Sequence, residues 1–100
     1  MANVAIHPSA RKEYIEAADW YRQRSQAAAD QFVSQVETVL AQVGGNPARF
    51  GWYDDDFREA VLRRYPYSIV YWVDASGDVL VVAVAHASRE PGYWHGRISP

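Results

Sequence analysis

The sequence predicts an α+β domain: an N-terminal strand, a hairpin of two helices, then a three-stranded antiparallel segment, with the helices packed on one face of the sheet. Three observations carry this. Apolar residues recur at helical spacing from Ala10 to Val43, strand-like runs replace them after Phe57, and glycine and proline punctuate the joins. With 100 residues, 49% hydrophobic and 22% charged, the chain reads as one globular domain over residues 1–100.

The elements follow in order. Val4 to Ile6 is a short apolar strand, and Pro8–Ser9 suits the first turn of a helix. That helix carries an apolar stripe of Ala10, Tyr14, Ala17, Ala18 and Tyr21, with Arg11, Lys12, Glu16, Asp19 and Arg22 on the opposite face. Ser25 is placed to cap a second helix starting near Gln26, whose stripe is Phe32, Val36, Val39, Leu40 and Val43. Gly44 and Gly45 are expected to stop it, and Asn46–Pro47 prevents a restart. Residues Ala48 to Asp56 read as a solvated loop. Phe57 to Tyr65 reads as a strand, broken by Pro66, and Tyr67 to Val73 as another. Asp74 to Asp78 is a turn, and Val79 to His86 is an apolar strand covered on both faces over part of its length. The tail from Ala87 to Pro100 is expected to be irregular.

Composition narrows the chemistry. There is no cysteine, so disulfides, thiolate metal sites and thiol catalysis are excluded. His7, His86 and His95 lack metal-ligand spacing, and Asp54–Asp55–Asp56 has no alternating ligands, so no metal and no cofactor is expected. No signal peptide or membrane-spanning run is visible, which predicts a cytoplasmic protein without a membrane partner. The net charge is −2, against the positive excess of proteins that bind many phosphates. Lys12 is the only lysine, and arginine's fixed planar fork suits defined anion contacts better.

Several segments resemble a known family. Arg64–Tyr65–Pro66–Tyr67–Ser68–Ile69–Val70–Tyr71 is similar to the R-F-P-Y-x-I-x-Y segment of the ParE/RelE toxin superfamily, also called plasmid-stabilisation proteins. Ala83–Val84–Ala85–His86–Ala87–Ser88–Arg89–Glu90–Pro91–Gly92–Tyr93–Trp94 resembles its A-V-x-H-x-x-R-x-P-x-Y-W ending, with Arg97 at the arginine that often follows. Glu16–Ala17–Ala18–Asp19–Trp20–Tyr21 looks like its E-A-x-x-W-Y helix. The resemblance implies the toxin of a type II toxin–antitoxin system, inhibiting growth and neutralised by a cognate antitoxin in a hetero-oligomer. It implies either a ParE-like poison of DNA gyrase or a RelE-like endoribonuclease that cuts mRNA on the ribosome.

The two activities ask different things of the same residues. As a nuclease, His86 would act as base or acid, Arg64 and Arg89 would hold the phosphate, and Tyr93, or Trp94 in its place, would complete the catalytic set by stacking a base. As a binding toxin, Arg58, Arg64, Arg89, Trp94 and Arg97 would form the target surface, with Arg63 a further candidate. Plainer roles compete: a buried His86, an Arg64–Glu59 pair, and Tyr93 and Trp94 as lids that pin the tail. From Phe57 onward Arg58, Arg63, Arg64, Arg89 and Arg97 are nearly balanced by Glu59, Asp74, Asp78 and Glu90. RelE-like nucleases are usually strongly basic, so the balance favours the gyrase-binding reading and leaves enzyme status open. An aromatic content of 14% in so small a domain also predicts an exposed apolar groove, and the resemblance implies an antitoxin that lays a helix in it and often adds a strand to the sheet edge.

Overall fold

The structure, a computed structural model, describes residues 2–98; Met1 of the N-terminal segment and Ser99–Pro100 of the tail lie outside the described residues. Strand β1 is Val4–Ile6, helix α1 Pro8–Arg22, helix α2 Gln26–Gly45, and strands β2, β3 and β4 are Arg58–Val61, Tyr67–Val73 and Val79–His86. The sheet order is β1-β4-β3-β2, with β1 parallel to β4 and the other pairs antiparallel.

Each helix starts on a side-chain cap. The His7 ring accepts the Ser9 amide at 3.0 Å ahead of Pro8, and Ser25 Oγ accepts the Ala28 amide at 3.2 Å. The helices form the expected antiparallel hairpin on one sheet face, where Phe32, Val36, Val43, Ile69, Tyr71 and Val81 are fully buried. Phe32 lies at the centre of an aromatic cluster with Tyr14, Tyr21, Tyr65 and Tyr67. Three boundaries differ from expectation. Helix α2 runs through Gly44 and Gly45, with Asn46 as its cap bonding the Gln42 carbonyl; Gly44 packs close to the Val4 side chain and Ala2 carbonyl, so its glycine serves the approach of β1 rather than the helix stop. Strand β2 stops at Val61, because residues 62–66 fold into a tight loop in which Tyr65 N–H bonds Arg63 O and Tyr67 N–H bonds Tyr65 O. The tail contains a short 3-10 turn, His95–Arg97, within its otherwise irregular path.

Strand β4 explains its uninterrupted apolar run. Its pairing with β3 slips by one residue: Tyr71 faces Val81, Val70 faces Ala83, and Val82 has no partner. This is a β-bulge. Before it, Val79 and Val81 face the helices; after it Val84 does; Val82, Ala83 and Ala85 all face the other side. That other face is covered by Trp94 from the tail together with Phe57.

Candidate functional site

Strand β4 ends at His86, opposite Tyr67 in the register, and the chain turns there through an Arg89 N–H to His86 O bond. The His86 ring stands edge-on to Tyr67 at 5.0 Å. Its Nδ1 accepts the Ser88 amide at 3.0 Å and lies 2.8 Å from Ser88 Oγ. A backbone N–H can only donate, so Nδ1 carries the lone pair and the neutral ring carries its proton on Nε2.

A groove of about 460 Å³ opens beside this ring, between α1 and the ends of β3 and β4. Trp20, Tyr21, Pro66 and Tyr67 supply its apolar wall, and His86, Arg89 and Glu13 its polar margin. Trp20 is 49% exposed, and the Arg24 guanidinium covers its ring at 3.4 Å. Arg89 lies over the Tyr93 ring at 3.9 Å, leaving about half of its side chain in solvent.

Beneath Arg89 is a network the sequence did not announce. Glu13 accepts two parallel bonds from Arg97, each 2.9 Å, plus the Tyr93 hydroxyl at 2.7 Å and the Val84 amide at 3.0 Å. Burial works against the Glu13 carboxylate, but hydrogen bonds from Arg97, Tyr93 and Val84 outweigh it and hold its pKa below the usual carboxylate range. The bond to Glu13 raises the Arg97 pKa against the effect of burial. Burial, then the bond to Glu13, pushes the Tyr93 phenol well above its ordinary value. Glu13 belongs to no motif noted above. Its signal was position: it stands three residues after Ala10 and four before Ala17, on the buried side of α1, where a carboxylate needs partners.

The other candidates are scattered. Arg64 has φ 39° in the loop leading to Pro66, and its guanidinium makes no ion pair with Glu59 or any other carboxylate among the described residues. Arg58 pairs with Tyr71 in the register, far along β2 from His86; it lies over the Trp52 ring at 3.8 Å and bonds the Phe50 carbonyl at 2.7 Å. Trp94 is 3% exposed and packs on Phe57, so in this conformation it lines the core rather than a target surface. The structure therefore brings His86 and Arg89 to one groove, sets Tyr93 beneath Arg89, commits Arg97 and Tyr93 to Glu13, and leaves Arg58 on β2 and Trp94 in the core. Among the described residues no group of histidines and carboxylates could hold a metal ion, and no helix is long and apolar enough to cross a membrane.

The strand–helix–helix–three-strand order is the one the resemblance implies, and its sheet is open and mixed. The profile described as "ParE toxin of type II toxin-antitoxin system, parDE" matches residues 4–91, and the chain belongs to that family. A solved structure titled "Chromosomal ParDE TA system from P. aeruginosa" is similar at a TM-score of 0.61 and 14% identity, covering 86% of this chain and 96% of that one. At that identity the likeness speaks to the fold. No curated protein matches.

Proposed function

We propose that this chain is the toxin of a type II toxin–antitoxin pair and arrests growth by binding a protein target, DNA gyrase, rather than by cutting RNA. The observation that carries this reading is the state of His86. Its Nδ1 lone pair is taken by the Ser88 amide, and its Nε2 bears the proton, so the neutral ring offers no free lone pair to a 2′-hydroxyl. Arg97 and Tyr93 are spent on Glu13, which lowers the positive charge available at the groove for a phosphorane. What stays exposed is a surface of stacked aromatic–arginine pairs, Trp20 with Arg24 and Tyr93 with Arg89, a composition suited to protein recognition. The cognate antitoxin would cover the same groove with an apolar helix face, and both partners would meet in the cytoplasm.

The test is growth arrest by His86→Gln beside gyrase supercoiling and ribosome-dependent mRNA cleavage by the parent. The expected result is a folded His86→Gln protein that still arrests growth, with supercoiling inhibited, mRNA intact and growth restored by the antitoxin. A nuclease moving a proton through His86 would lose roughly 10²–10⁴ in rate. A folded but harmless variant, together with cleavage by the parent, overturns the proposal in favour of the RelE-like reading.

A further inference from the structure

The groove beside His86 holds hydrogen-bond donors that the chain itself does not use. His86 spends Nδ1 on Ser88, and its Nε2–H has no acceptor among the described residues. Arg89 lies over the Tyr93 ring, and the carboxylate oxygen near it, Glu13 Oε2, stands 3.9 Å away, beyond hydrogen-bond reach. That oxygen already accepts from Arg97 at 2.9 Å and Tyr93 at 2.7 Å. Both unused donors line the same groove.

The two acids of the groove offer them no match. Arg97, Tyr93 and the Val84 amide fill the lone pairs of Glu13. Glu16 reaches only toward Lys12, at 4.0 Å, with most of both side chains in solvent. Positive charge meanwhile gathers on the margin. Arg24 covers Trp20 and bonds its carbonyl. Arg63 and Arg64 stand exposed in the loop before Pro66, and the next residue, Tyr65, packs on Tyr21 at 4.9 Å, which sets this loop against the end of α1. Among the described residues, none of Arg24, Arg63 and Arg64 is paired with a carboxylate. The net charge of the chain is −2, yet the local sign at this groove is reversed.

We propose that His86 Nε2–H and Arg89 form a carboxylate-binding site, and that its occupant is an acidic side chain of the antitoxin segment lying in the groove, with a neighbouring apolar side chain on Trp20 and Tyr67. The identity of the partner rests on the toxin–antitoxin reading; the chemistry of the site does not. One neutral donor and one cation suit a group of two acceptor oxygens and one negative charge. The Tyr67 ring is 5.0 Å from the His86 ring and 6.5 Å from the Tyr21 ring, so the carboxylate and the apolar side chain enter side by side. A neutral amide brings one oxygen and no charge, so the site separates Glu or Asp from Gln or Asn. A nucleic-acid backbone would carry successive charges along α1 past Glu13 and Glu16, whereas a single carboxylate avoids both.

The first experiment is an NMR titration of the purified chain with isocaproate, isocaproamide and dimethyl phosphate, following the Trp20 indole N–H, the His86 ring nitrogens and the Arg89 Nε–H. Isocaproate is expected to shift all three, and to bind at least about tenfold more tightly than the amide or dimethyl phosphate. Equal affinity for acid and amide, signals that do not move, or tighter binding of dimethyl phosphate overturns the proposal. Folded Arg89→Gln should lose the preference for the acid, and a preference that survives overturns the role of Arg89. If that variant does not fold, the parent titration decides. The second experiment measures binding of Arg89→Glu to the antitoxin encoded beside the chain, with the antitoxin's acidic residues changed to lysine one at a time. The charge reversal should weaken binding at least about tenfold, and one lysine change should recover it. A folded Arg89→Glu protein that binds like the parent, or that no lysine change improves, overturns the antitoxin as occupant. Neither assay contains gyrase or ribosomes, so a chain that takes the carboxylate but leaves supercoiling untouched loses its proposed target and keeps this site.

Discussion

The two faces of the sheet are closed in different ways. On one, α1 and α2 lay down stripes of apolar side chains, and Phe32, Val36 and Val43 repeat contacts of one kind along a whole helix. On the other, a short tail closes a smaller cluster with one large side chain, Trp94, held by individual polar ties: Tyr93 and Arg97 to Glu13, and His95 to Asp54. A face built by repetition spreads its energy over many residues, each contributing through buried area. A face built by clasps depends on a few bonds, each between segments far apart in the chain. The helix face should therefore set global stability, and the tail face should set which local openings occur below it.

Replacing Phe32 with alanine tests the first half. Phe32 is fully buried and meets Tyr21, Tyr65 and Tyr67 with ring centroids 5.2, 5.3 and 5.4 Å away. The loss should be about 3–5 kcal/mol, a large part of the stability of a domain this size. Urea denaturation measures it. A loss under about 1 kcal/mol would mean that the helix face is not where global stability resides.

The same contrast explains what was legible beforehand. Stripes such as Phe32–Val36–Val43 announce a helix and its buried face, because local spacing and burial are the same fact seen twice. Strand β4 was legible as a strand but not as a bulged one. In a run where every residue from Val79 to Ala85 is apolar, a one-residue slip leaves no trace in the pattern. The pattern overextends strand β2 because Leu62 and Tyr65 are apolar like strand residues, although both are inward anchors of a loop; Tyr65 Oη bonds the Ala28 carbonyl at 3.0 Å. For the candidate site, motif resemblance names His86, Arg89 and Tyr93 as candidates. Glu13 is not among them, since its partners Val84, Tyr93 and Arg97 lie 71, 80 and 84 residues away and no local rule links them.

The second prediction sharpens the clasp half. Arg97→Met keeps the apolar stem but leaves the Glu13 carboxylate without its main partner. The pair is mostly buried, and breaking a buried pair costs about 3–5 kcal/mol; the water that reaches this one brings the expectation down to about 2 kcal/mol. Adding Glu13→Leu should recover part of that loss, because an apolar pair avoids an unpaired buried charge. Thermal melts of the two variants compare them directly. A double variant less stable than Arg97→Met alone would show that the carboxylate matters for more than its charge partner, through Tyr93 and the Val84 amide.

The smallest expected effect belongs to the outermost clasp, and pH isolates it. His95 Nε2 lies 2.8 Å from Asp54 Oδ2, and Nδ1 lies 2.6 Å from the Gly92 carbonyl. Both ring nitrogens face acceptors, so only the doubly protonated ring donates to both. Gly92 adopts φ 76°, and a Cβ there would come within 2.6 Å of the His95 ring, so glycine is what lets the ring sit over its own turn. The bond to Asp54, then the Gly92 carbonyl, raises the His95 pKa above 6.5, with Asp56 adding to the field. A raised histidine pKa gives stabilisation that is complete below the unfolded value and disappears as pH climbs through the folded one. Asp54 has the opposite sign. Desolvation opposes its charge, but bonds from His95 and the Asp56 and Phe57 amides prevail, so its pKa falls below 3.8 and its contribution is lost only on stronger acidification. The clasp is thus strongest in mildly acid solution, between those two limits. Because the ring is about half exposed, its whole contribution should stay under about 1 kcal/mol, a few degrees in Tm for a chain of this length. Measured from mildly acid to mildly alkaline pH, the Tm difference between the parent and His95→Gln should shrink as pH rises, with His7 and His86 cancelling in the comparison. A difference that does not change with pH would mean that His95 holds the tail by its shape against Phe57 and Trp94, and not by its charge.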